Sequence, residues 1–104
     1  MRGGRSAKGG VVMTTEAALQ RSIIVALEAA GCYVVNVVVA GRKGTPDLLV
    51  CHEGRFIALE VKRLGQKPTA IQRVELARVA AHGGTAAVVH SVDEARAAVL
   101  QPEV

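Results

Sequence analysis

Two apolar runs rich in β-formers, residues 47–51 and 55–62, are separated only by His52-Glu53-Gly54-Arg55, which directs the middle of this chain into a β-hairpin. Glu-Gly is a weaker two-residue turn signal than Asn-Gly or Asp-Gly, but the flanking runs supply the pattern. With Glu53 and Gly54 in the central turn positions, His52 faces Arg55, and counting back along both strands sets Asp47 opposite Glu60. Side chains alternate along a strand, so Glu60 and Lys62 share a face with Asp47, while Ile57, Leu59 and Val61 fill the other. Leu48 then pairs with Leu59 and Val50 with Ile57, and Leu49, Cys51, Phe56 and Ala58 continue the acidic face apolarly. The expectation is a hairpin buried on both sides, as in a central sheet.

Opposed residues on antiparallel strands have Cβ atoms roughly 5 Å apart, and like charges placed there are destabilising. A cation of the magnesium type, which takes oxygen ligands at about 2.1 Å, would convert that repulsion into a chelate. The plain alternative is a hairpin with a surface salt bridge from Lys62 to Glu60 or Asp47.

Residues 14–30 carry Leu19, Ile23, Leu27 and Ala30 at helical spacing, with Thr14 or Thr15 as N-cap and Gly31 as the stop. Glu16 projects onto the middle of that apolar stripe. A carboxylate aimed at a core wants a partner, although an acid in a first turn is also favoured by the helix dipole alone. A second helix, roughly 70–82, places Gln72 on its sheet-facing stripe with Leu76 and Val79. Gln72 could bond a phosphate oxygen, a water or Lys62; equally, Thr69-Ala70-Ile71-Gln72 fits a capping box. Strands over 32–39 and 85–90 and a helix over 92–100, opened by a Ser91–Glu94 capping box, complete the order αβββαβα. The apolar run from Cys32 to Ala40 is expected in or beside the centre of a mixed sheet.

Glu16, Gly44-Thr45-Pro46-Asp47, Glu60-Val61-Lys62 and Gln72, in this order, resemble the VRR-NUC branch of the PD-(D/E)xK nuclease superfamily, especially its short stand-alone viral and bacterial members. The resemblance spans about residues 14–90. It implies a restriction-endonuclease-like α/β fold, an αβββαβ core with helices flanking a mixed sheet and a helix at the C-terminus. It also implies a Mg2+- or Mn2+-dependent endonuclease acting on DNA, with branched or junction structures as substrates. By this resemblance Asp47, Glu60, Lys62 and Gln72 are catalytic. The metal is held by Asp47, Glu60, the Val61 backbone carbonyl and, from the first helix, Glu16. A homodimer is expected on the same ground. The rival readings are an enzyme of the archaeal Holliday-junction resolvase type and a non-catalytic DNA-binding module with the same fold.

Composition sets the remaining bounds. The 104 residues, 50% of them hydrophobic, suffice for one domain, expected over 13–104. No apolar run approaches the roughly 20 residues of a membrane span, and no signal-peptide core is seen near the start, so a cytoplasmic protein is expected. Cys32 and Cys51 lack a metal or disulfide spacing and read as free buried thiols. His52, His82 and His90 are scattered and fall at turns or element ends. The formal charge is +4, with Arg2, Arg5 and Lys8 in a Gly-rich start that reads as a flexible basic arm over 1–12. Arg42, Lys43, Arg63 and Lys67 flank the acidic motif and are the candidate phosphate contacts; ordinary solvated side chains are the alternative. With one Tyr and one Phe, a base-stacking platform is disfavoured.

Overall fold

The computed structural model describes residues 14–100; the stretch read as a basic arm, with residue 13 and residues 101–104, lies outside them. The element order is α1 (Glu16–Ala29), β1 (Tyr33–Asn36), β2 (Leu48–His52), β3 (Arg55–Val61), α2 (Ala70–Ala81), β4 (Thr85–Val89) and α3 (Val92–Leu100). The four strands form one sheet in the order β1-β2-β3-β4. β1 and β3 are each antiparallel to β2, and β4 is parallel to β3 through the α2 crossover.

The hairpin has the register set by its turn, with His52 facing Arg55, Val50 facing Ile57 and Leu48 facing Leu59. Glu53 and Gly54 both take positive φ, 50° and 79°. This is the twist that a two-residue turn needs to match its strands, obtained here with a glutamate in a conformation that most side chains avoid.

One face of the sheet carries the main core. Leu48, Val50, Ile57, Leu59, Val61 and Val89 pack with Ile23 and Leu27 of α1 and Ala95 and Val99 of α3. The opposite face is covered more thinly by α2, whose Leu76 is its buried residue. α2 lies over β3 and β4, so that face stays open toward β1: Cys51 is exposed and Phe56 is 47% exposed. The hairpin is therefore buried on both sides only around Ala58 and Glu60, and of the two thiols only Cys32 is buried.

The apolar run 32–40 behaves differently from its expectation. Its strand is four residues long, Tyr33–Asn36, and occupies the edge of the sheet, while Val38 and Val39 are 83% and 90% exposed. The centre goes to β3, which pairs on both sides and is the longest strand, with seven residues. Apolarity alone did not distinguish a run used in the core from one set at a rim.

Topology places the three helix starts together. Because β1, β3 and β4 run in one direction, their C-terminal ends and the start of β2 lie at the same end of the sheet. α2 and α3 begin just after β3 and β4, and α1 runs back from that end to feed β1. No helix among the described residues is long and apolar enough to cross a membrane.

Candidate functional site

Asp47, Glu60 and Lys62 sit at the end of the sheet where all three helices start. Asp47 immediately precedes β2, and its Oδ2 accepts the Val61 N–H at 2.8 Å. The side chain thereby takes the place of a strand residue and closes the end of the β2–β3 ladder. The N–H and C=O of one extended residue point to the same side, so the Val61 carbonyl is turned toward Asp47 as well. Lys62 N–H donates to Val89 O at 3.0 Å, tying the other side of the strand end to β4.

Glu60 is 1% exposed, and neither of its carboxylate oxygens has a hydrogen-bond donor among the described residues. Its one cationic neighbour among the described residues is Lys62, whose Nζ lies 3.5 Å from Oε2. Burial first, and then the Asp47 carboxylate beside it, push the Glu60 carboxyl up from 4.5 to about 7, against the opposing pull of Lys62. Two carboxylates in contact are both acceptors, so the pair needs a shared proton or a cation between them. A buried anion without donors is costly, and one cation at salt-bridge range does not remove that cost. The donor set fits a hard divalent cation: two carboxylates, with a backbone carbonyl turned the same way.

The loop between β1 and β2 is held over the first turn of α2. A Cβ on Gly44 would lie 2.8 Å from the Ile71 backbone oxygen, and its φ is +77°, so only glycine permits this approach. Thr45 Oγ1 donates to Arg42 O at 2.7 Å, and Val37 N–H to Asp47 O at 2.8 Å. Gly44-Thr45-Pro46 thus fixes where Asp47 enters β2.

The other expected site residues are placed as follows. Glu16 is half-buried in the first turn of α1, after Thr15, whose hydroxyl accepts the Ala18 N–H. It makes no hydrogen bond or ion pair among the described residues, and no three acidic, His or Cys side chains there are gathered closely enough to hold a metal. The structure brings Asp47 and Glu60 together without Glu16. Gln72 closes the capping box: its Oε1 accepts the Thr69 N–H at 2.8 Å, and Thr69 Oγ1 accepts the Gln72 N–H at 3.3 Å. Its amide oxygen is occupied by the helix end.

Among the basic residues, Arg42 is tied to Glu75 by two contacts at 2.9 and 3.1 Å. These hold the Glu75 carboxyl below its ordinary value. The partners are 33 residues apart, so no local pattern could have shown the pair. Lys43 and Lys67 are exposed and Arg63 is half-buried. At the start of α3 the capping box is modified. Ser91 Oγ accepts the Glu94 N–H at 3.0 Å, but the Glu94 carboxylate reaches back to the His90 N–H at 2.8 Å instead of Ser91.

A cavity of about 650 Å³ bounded by Arg55, Phe56, Arg78 and His82 lies at the hairpin-tip end, away from the acidic pair. A smaller one, about 350 Å³, lined by Leu19, Arg63, Leu64, His90 and Val92, lies at the end that carries Lys62.

Solved structures match the chain over most of its length. One, a VRR_NUC domain, superposes with a TM-score of 0.72 at 30% identity, over 85% of this chain and 97% of the other. A second, a VRR_NUC domain protein, gives a TM-score of 0.65 at 21% identity, over 80% of this chain and 83% of its own, a likeness of fold. No family model and no curated protein matches the chain.

Proposed function

This chain belongs to the VRR-NUC family and has its α/β restriction-endonuclease-like fold, and from that premise we propose that it is a Mg2+- or Mn2+-dependent endonuclease cutting branched DNA. The observation that carries the reading is Glu60: a buried carboxylate with two unpartnered oxygens, held against Asp47 with Lys62 at 3.5 Å. The pair is completed by a shared proton or by a cation, and a hard divalent cation is the completion a phosphodiester-cutting site would use.

Asp47 and Glu60 would hold the metal, together with the Val61 carbonyl. Glu16, half-buried at the α1 start, would join only by a side-chain change or through water. When bound, the cation supplies neutralisation of charge on the scissile phosphate and lowers the pKa of a nearby water. Asp47 is oriented by the Val61 N–H, which engages one of its two oxygens. Lys62 would orient the attacking water or offset charge on the phosphoryl oxygens. Lys43, Arg63 and Lys67 contact flanking phosphates without reading sequence. Arg42 joins them when it leaves Glu75. Gln72, with its amide oxygen in the helix cap, would act at the site through its side-chain NH2. Two copies related by a two-fold axis would cut two strands of one junction.

The test is a cleavage assay with Mg2+ and Mn2+ over flap, fork, nicked and four-way DNA, run beside Lys62→Ala. Metal-dependent products from the native chain and none from Lys62→Ala are expected. Cleavage that persists in excess chelator removes the metal, and DNA binding without products in either metal leaves a binding module. Sedimentation showing only monomer at micromolar concentration removes paired cutting.

A further inference from the structure

The two loops that leave the site end of the sheet carry aliphatic side chains for which the fold has no use. Leu64, two residues past Lys62, is 86% exposed. It does not sit on a loose segment. Gln66 N–H donates to Arg63 O at 2.9 Å and Gly65 has φ +88°, so Leu64 occupies the second position of a closed, hydrogen-bonded turn. That turn is braced at both ends: Lys62 N–H is bonded to Val89 O, and His90 Nε2 lies 3.4 Å from Gln66 O. On the other flank, Val38 and Val39 are 83% and 90% exposed, directly after Val37, whose N–H is bonded to Asp47 O.

A lone exposed leucine is ordinary. Here three aliphatic residues stand on the two loops that adjoin Asp47 and Lys62, and each loop also carries basic side chains, Arg63 and Lys67 on one and Arg42 and Lys43 on the other. Cations beside an apolar tip match a ligand with phosphates around an apolar face. DNA has such a face where stacking stops. Within a continuous duplex both faces of each base pair are covered; at a branch one is bare, and an aliphatic wedge can cover it without the cost of unstacking.

We propose that Leu64 is a wedge that packs on the base-pair face exposed at a DNA branch, with Arg63 and Lys67 on the adjoining phosphates and Val38 and Val39 bounding the opposite side. The proposal rests on the nuclease reading and assigns its structure selectivity to a residue outside the chemistry. The wedge, set two residues from Lys62, fixes how far from the branch the cut falls.

The experiment compares the native chain, Leu64→Ser and the conservative Leu64→Met on a fork, a plain duplex and a single strand of one sequence. The fork carries 2-aminopurine at the branch, and its fluorescence is followed with the same two substitutions in a Lys62→Ala background, where the DNA stays intact. Leu64 is solvent-exposed, so unchanged melting temperatures are expected. Leu64→Ser is expected to lower the preference for fork over duplex roughly ten-fold and to abolish the fluorescence change. Leu64→Met keeps both, and single-strand cleavage is unaltered throughout. Unchanged preference and fluorescence in Leu64→Ser overturn the wedge. So does equal loss on all three substrates accompanied by dissociation of a dimer, which assigns Leu64 to contact between copies. A Leu64-dependent fluorescence change without any cleavage by the native chain keeps the wedge while the nuclease reading falls.

Discussion

Glu60 carries the chemistry proposed for this protein, and it is also a buried carboxylate that weighs on the fold. Its carboxyl is raised from 4.5 to about 7 in the fold. The folded chain therefore holds a proton that the unfolded chain has already released between these values. Stability from this group is complete below about pH 4.5, declines as pH rises, and is lost above about pH 7. In chelator, melting followed from pH 5 to pH 8 should show a loss of a few kcal/mol, which Glu60→Gln removes while also removing cleavage. Added Mg2+ should raise the native melting temperature more at pH 8 than at pH 5, because a cation replaces the proton. Asp47 separates two roles that share one side chain. Asp47→Asn keeps an acceptor for the Val61 N–H, whereas Asp47→Ala leaves that donor without one. Both should be inactive, and denaturant unfolding should find the alanine variant less stable by about 1–3 kcal/mol.

The β2–β3 hairpin was the most legible element, because alternation and turn position together leave one register. That register sets Asp47 against Glu60. Its flaw was legible too: Glu53 takes φ +50° where asparagine is preferred. Glu53→Asn should stabilise the fold by about 0.5–1 kcal/mol in equilibrium unfolding, with no effect on cleavage. β1 was misplaced because its apolar run resembles a buried strand in composition, and only pairing partners reveal an edge. Gln72 and Glu16 mark a different limit. Helical phase fixed the face each occupies, yet the Gln72 amide had two uses within reach and the fold gives it to the helix cap. For Glu16, helical phase gave the face it occupies but not its partners, and among the described residues it forms no three-ligand group with the acidic pair. The Arg42–Glu75 pair lay outside any local pattern.

At the scale of the whole molecule, the arrangement is polar from end to end. The partial positive charge of three helix starts, together with Lys43, Lys62, Arg63 and Lys67, faces the same way as the acidic pair. This gives a nearly neutral domain a local attraction for phosphate. It also limits that attraction. With Lys43, Arg63 and Lys67 as the free phosphate contacts, binding of the Lys62→Ala chain to a fork, measured against salt, should give a log–log slope of roughly −3, and Lys67→Ala should reduce it by about 1. A much steeper slope would mean that further cations, Arg42 or those preceding residue 14, take part. The Glu53–Gly54 turn, by contrast, stands at the far end of the sheet from every one of these groups. It offers a natural handle: a fluorophore or surface tether attached there would leave the working end unobstructed, so that single molecules could be watched as they meet their substrate.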